Sequence, residues 1–233
     1  MWQQLYDGPL NQPIAGCLLT AATLLWLGAK PSGWLRTVLM LFGVQLCLDN
    51  LLTGAWNPLP PASPLNQPLA IAFVVLGDWR FFLLTEQFRA PGRRAWAVSL
   101  GFALLVPVAQ GALIAVFPQA FPTLRHTFVA YELLFLALAI VWRGAVLPAR
   151  LAQVPVGRRK WLFRLAYFEI IQYALWPLAD LLILFGTAAG QEAGYALRLV
   201  PNTLYYGGFL AFAAWRAPAE AWTLPLRPVG HRL

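Results

Sequence analysis

Seven runs of about twenty mostly apolar residues, each ended by Pro, Gly or a knot of charge, leave this chain few ways to fold. They cover 14–28, 35–52, 69–88, 96–117, 127–147, 162–185 and 195–215. A helix of that length crosses the hydrocarbon core of a bilayer, and a helix satisfies its own backbone there. The breaks have local causes. Pro31, Pro91 and Pro155 interrupt turns, the Pro-rich stretch 58–68 cannot stay helical, and Pro118 and Pro122 end the fourth run. Composition agrees: 60% of the 233 residues are hydrophobic and 11% are charged, whereas a soluble domain carries about 25% charge. A chain this apolar is not disordered either. The expected fold is all-α, one polytopic membrane domain over 1–233 built as a seven-transmembrane-helix bundle, with a short cytoplasmic tail at 216–233.

A net charge of +8 could suggest nucleic acid, but the positions of the basic residues exclude that partner. The first, third and fifth loops and the tail hold Lys30, Arg36, Arg89, Arg93, Arg94, Arg143, Arg150, Arg158, Arg159, Lys160, Arg164, Arg216, Arg227 and Arg232, fourteen of the 17. Only Arg125 lies on the other side, and Arg80 and Arg198 fall within spans. The positive-inside rule then places the N-terminus outside and the C-terminus inside, in a cell inner (plasma) membrane. Nine of the 11 Trp sit near span ends, where an indole prefers the interface; Trp79 and Trp176 are the mid-span exceptions. No basic residue precedes Lys30, so the first run reads as a retained span, not a signal peptide.

His126 and His231 are the only histidines, and neither CxxC nor HExxH occurs. No metal or haem site is expected. Cys17 and Cys47 lie in apolar runs and read as small buried hydrophobes. Residues 9–13, Pro-Leu-Asn-Gln-Pro, recur at 64–68, each copy opening a helix from the same side. Either a duplicated hairpin or convergent capping, with Asn as N-cap and Pro in the first turn, accounts for the repeat.

Six of the nine acids lie inside spans: Asp49, Asp78, Glu86, Glu132, Glu169 and Asp180. Each costs about 2.5–3.5 kcal/mol to insert, so each must find a partner, water or the bundle interior. Glu86 and Glu169 lie near the cytoplasmic ends, within reach of Arg89 and Arg164, and pairing accounts for them. Asp49, Glu132, Asp180 and Arg198 lie in the outer half, with Asp78 near the middle. Helical spacing makes them converge. Glu169, Gln172, Tyr173, Trp176 and Asp180 form one stripe on the sixth span, Arg198, Asn202, Tyr205 and Tyr206 another on the seventh, and Gln45 and Asp49 an i, i+4 pair on the second. Four carboxylates against one arginine imply protons or a cation. Arg80, two residues from Asp78, faces another side and serves another helix or a lipid phosphate. Pro177 and Pro201 interrupt the backbone ladder at the depth of the polar stripes.

Two family patterns are carried by short motifs. Asp78-Trp79, Trp176 beside Pro177, and Gly208-Phe209 resemble the counter-ion, ring-packing and last-helix motifs of microbial rhodopsins. Where that family has its retinal lysine this chain has Tyr206, and Asn202 stands at the second carboxylate; the resemblance implies the architecture without the pigment. Gly77-Asp78, Ala130-Tyr131, Trp142-Arg143-Gly144, Ala179-Asp180 and Thr203-Leu204-Tyr205-Tyr206 resemble pieces of the lysoplasmalogenase family, eight-span hydrolases of vinyl-ether lipids. That resemblance implies an intramembrane lipid hydrolase.

Two functions use the polar interior, and a third reading, a subunit or assembly factor acting through its surface, is equally compatible with the sequence. In the first, a transporter or receptor binds a small polar or cationic ligand in an outward-facing cavity lined by Asp49, Asp78, Trp79, Glu132, Tyr173, Trp176, Asp180, Arg198, Asn202, Tyr205 and Tyr206. Asp78 is then the proton or cation coupling site. In the second, Asp78 and Asp180 act as a catalytic carboxylate pair on a lipid. The expected partners are membrane lipids and a small-molecule or lipid ligand, with a homo-oligomer compatible with the sequence. No cofactor is expected.

Overall fold

A computed structural model describes residues 1–60 and 62–223. Arg227, Arg232 and His231 lie outside the described residues, as do Pro61 and most of the tail beyond Arg216. Helix dominates throughout. A short N-terminal helix, Trp2–Asp7, precedes the first span, Leu10–Gly28. The second to sixth spans are Trp34–Thr53, Asn66–Arg89, Arg93–Val116, Leu124–Arg150 and Val156–Phe185. The seventh is built from Ala188–Thr203, a wide π turn at Leu204–Gly208, and Phe209–Arg216.

Among the described residues, the first six are the helices long and apolar enough to cross a membrane by length and composition. The seventh falls short because it spends Arg198, Asn202, Tyr205 and Tyr206 on its buried face. Helices outrun the apolar runs at their ends. Thus the sixth begins at Val156, taking Arg158, Arg159 and Lys160 into its first turns, because helix continues beyond the hydrocarbon where basic residues are tolerated.

Proline marks most of the irregularities. Pro107 cannot donate to Ala103, and the fourth span breaks at Leu104. The π turn Trp142–Val146 precedes Pro148 in the fifth, and Leu204–Gly208 follows Pro201 in the seventh. Pro177 is accommodated within the continuous sixth helix. The two Pro-Leu-Asn-Gln-Pro copies differ in structure. Gln12 is extended (φ −129°, ψ 118°) within a kinked π turn, whereas Asn66 opens a regular helix. Neither asparagine caps a helix. Asn11 donates to the Tyr6 carbonyl and Asn66 to that of Pro60.

Each span packs on the next, and the seventh closes the ring on the first. The third also touches the sixth across the middle. Its stretch from Arg80 to Phe88 is buried without a break, so this helix carries Arg80 and Glu86 into the core. Ala219–Trp222 forms one last turn against the second span, with Trp222 buried. The expected tail is therefore docked at its start.

Candidate functional site

Polar side chains gather in three layers. At the end of the bundle that carries the N-terminus, Arg198 is the hub. Its Nε donates to the Tyr6 hydroxyl at 2.7 Å and its Nη1 to Glu132 at 3.2 Å, and it pairs with Asp180. Arg125 reaches Asp180 from the start of the fifth span, Nη1 to Oδ1 at 2.5 Å. Fully buried Asp180 thus sits between two guanidinium groups. The surplus of acids expected in this layer is corrected by Arg125, whose position in a loop-like stretch hid its partner 55 residues away. Beside it opens a cleft of about 370 Å³ lined by Thr123, Leu124, Arg125, Phe128, Ile183 and Leu184.

The middle layer centres on Asp78, 2% exposed. Its two oxygens accept from Tyr131 at 2.5 Å and from Tyr173. Phe135 stacks on the Tyr173 ring at 3.9 Å. The Tyr205 hydroxyl donates to the Phe73 carbonyl at 3.2 Å, and its ring lies so close to Gly77 that any Cβ there would overlap it. Asp49 accepts from Thr53 at 2.9 Å and interacts electrostatically with Tyr205 and Tyr206. Trp176 joins the layers. Its indole N–H donates to Asn202 at 2.9 Å while its ring meets Tyr173 and Tyr205.

Arg80 lies just beyond Asp78 and is 1% exposed. It does serve another helix: Nη1 donates to the Tyr205 carbonyl at 2.9 Å, with the guanidinium over the Tyr205 and Phe209 rings. Glu169 departs from expectation. It is 1% exposed and neither oxygen has a hydrogen-bond partner, whereas Arg164 is exposed. Five residues apart on a helix, the two point to different faces. In the third layer, at the opposite end of the bundle, Glu86 meets Arg89 as expected and also Arg150, which grips it with two bonds of 2.8 and 2.6 Å.

The proposed lining therefore divides. Asp49, Asp78, Tyr173, Tyr205 and Tyr206 gather at the centre, Glu132, Asp180 and Arg198 gather at the N-terminal end, and Trp176 with Asn202 lies between. Trp79 belongs to neither group: its N–H donates to Ser99 at 2.7 Å and its ring packs on Phe42 and Trp96, towards the fourth span. Asp78 and Asp180 hold different partners. Tyr173, bound to Asp78, lies seven residues from Asp180, about 10 Å along the sixth span, so the carboxylates do not form a pair. Tyr131, Arg125 and Tyr6 were missed as site residues. For Tyr131 a usable signal was its i, i+4, i+8 stripe with Phe135 and Ala139, because a phenol buried on such a stripe needs a partner for its O–H.

Neither a family model nor a curated protein matches the sequence. The structure is similar to that of Exiguobacterium sibiricum rhodopsin, with a TM-score of 0.59 over 87% of this chain and 92% of that chain, at 12% identity. The architecture is that of a rhodopsin-like seven-helix membrane protein. At this identity the likeness concerns the fold alone. The residues present do not fit a retinal held as a Schiff base: Lys30 sits over the Trp26 ring, 4.3 Å from its centroid, at the end of the first span, and Lys160 is exposed in the second turn of the sixth. Among the described residues no group of His, Cys, Asp and Glu could hold a metal ion.

Proposed function

We propose that this rhodopsin-like bundle is a non-pigmented transporter or receptor for a small polar or cationic solute, with Asp78 as its proton- or cation-coupling group. One observation carries the reading: three buried acids, Asp49, Asp78 and Glu169, share the middle of the bundle with one buried cation, Arg80. Were all ionised, two negative charges would be uncompensated in a low-dielectric interior, which protons or a bound cation relieve. Solute would enter by the cleft beside Arg125 and reach the Asp180–Arg198–Glu132 group first. The Lys and Arg distribution favours this end as the outer one, in an inner (plasma) membrane. The ligand, a homo-oligomer and lipid partners belong to the same proposal.

Uptake into vesicles reconstituted with the purified protein, together with calorimetric binding of the transported solute, tests the reading. Asp78→Asn should abolish coupled uptake and Asp180→Asn should weaken binding. If both variants bind and transport as the parent does, the proposal fails.

A second reading has one observation in its favour. Gly77, Asp78, Tyr131 and Tyr205, all positions of the lysoplasmalogenase-like pattern, meet in one place, although they come from three spans. In a lipid hydrolase built there, Asp78 would act with the tyrosines and without Asp180. Aldehyde release from a vinyl-ether lysolipid, lost in Asp78→Asn, would put this reading first.

A further inference from the structure

Just beyond Asp78, towards the opposite end of the bundle, five buried polar atoms have no hydrogen-bond partner: both oxygens of Glu169, Oε1 and Nε2 of Gln172, and Nε of Arg80. Glu169, Gln172 and Arg80 are each at most 1% exposed. Their positions explain the grouping. Glu169 and Gln172 are three residues apart on one face of the sixth span, which also bears Tyr173, and Arg80 follows Asp78 by two residues on the facing third span. Glu169 interacts electrostatically with Arg80, Asp78 and Tyr173. The fifth span adds Tyr131, bound to Asp78, and the seventh adds Tyr205, whose carbonyl holds Arg80.

A buried carboxylate with no hydrogen bond is among the most expensive groups a protein can hold. Here the orphans are complementary: two donors, on Arg80 and Gln172, and three acceptors, on Glu169 and Gln172. Groups of this kind, buried together without a bond between them, are what buried water bridges. We infer that Glu169, Gln172 and Arg80 form a second internal site, one that binds a small water cluster and through it shares a proton between Glu169 and Asp78. The inference rests on the reading of Asp78 as a coupling group and extends it with an acceptor.

The step balances. The O–H bond of the Asp78 acid breaks, the proton passes along the water, and an O–H bond forms on Glu169. The Asp78 anion is left to the Tyr131 and Tyr173 hydroxyls. The new Glu169 acid can donate towards Gln172 Oε1, and the net charge of the layer is unchanged.

Infrared difference spectra of the full-length protein in lipid vesicles, titrated with acid in light and heavy water, test this. A protonated-carboxyl stretch should be removed by Glu169→Gln. Asp78→Asn should move its titration midpoint by about one pH unit, a tenfold change in proton affinity. Gln172→Leu should shift its frequency without removing it, and this variant serves if Glu169→Gln does not fold. A spectrum unchanged by Glu169→Gln, a midpoint indifferent to Asp78→Asn, or a frequency indifferent to Gln172→Leu overturns the shared proton. If Glu169→Gln removes the band and both shifts occur while coupled uptake survives Asp78→Asn, the shared proton stands and Asp78 loses its role as the coupling group.

Discussion

At the N-terminal end of the bundle each buried acid meets a guanidinium, whereas at mid-height three acids share one. The two regions use the same residue types for opposite ends. Asp180 and Glu132 are neutralised by Arg125 and Arg198 and tie the fifth, sixth and seventh spans together. Asp78 is held by phenols, Asp49 by a threonine, and Glu169 by no direct bond. Charge of the first kind is compensated within the protein, whereas Asp49, Asp78 and Glu169 are left with Arg80 alone, and on the proposed reading protons or a cation make up that difference.

The largest expected effect breaks the compensated region. Arg198→Met strands Glu132 without its guanidinium and leaves Asp180 with Arg125 alone; it should cost about 3–5 kcal/mol, read as a large fall in the thermal unfolding midpoint in detergent. Next comes the wall of the central region. Gly77→Ala drives a methyl into the Tyr205 ring and should cost about 1–3 kcal/mol, while Gly101→Ala, which meets open space, should stay within about 0.5 kcal/mol of the parent. Asp78→Asn keeps its volume and an acceptor for the tyrosines, so a loss of about 1 kcal/mol is expected alongside the loss of uptake. If Asp78→Asn were as damaging to the fold as Arg198→Met, the contrast between the regions would be wrong. The smallest effect lies at the rim. Glu192 accepts from the Trp2 backbone N–H at 2.7 Å in an exposed position, and Glu192→Gln should leave the thermal unfolding midpoint in detergent unchanged.

Much of the fold was legible because it rests on one-dimensional signals. Apolar runs mark the spans, and Pro31, Pro91 and Pro155 mark their ends. The boundaries drifted by several residues where helix runs on into basic sequence, as at Val156. The seventh span was legible as a run yet is too polar at Arg198, Asn202 and Tyr205 to qualify on composition. Site membership was harder. Periodicity correctly aligned Tyr173, Trp176 and Asp180 on one face of the sixth span, but a face does not say which partner waits opposite. Arg125 lies outside the apolar run, and the stripe that carries Tyr131 does not name Asp78 as its partner, so each pairing became visible only across helices. Trp79 shows the converse. It neighbours Asp78 in sequence, and one step round the helix, about 100°, turns it to the fourth span.

The bond from Arg80 to the Tyr205 carbonyl falls within the wide turn of the seventh span, between its two straight halves. A helix fastened at its middle through its own backbone is held against lengthwise sliding past the third span. The fastening lies about one turn from Asn202, between the half that carries Arg198 and the half that ends at Arg216.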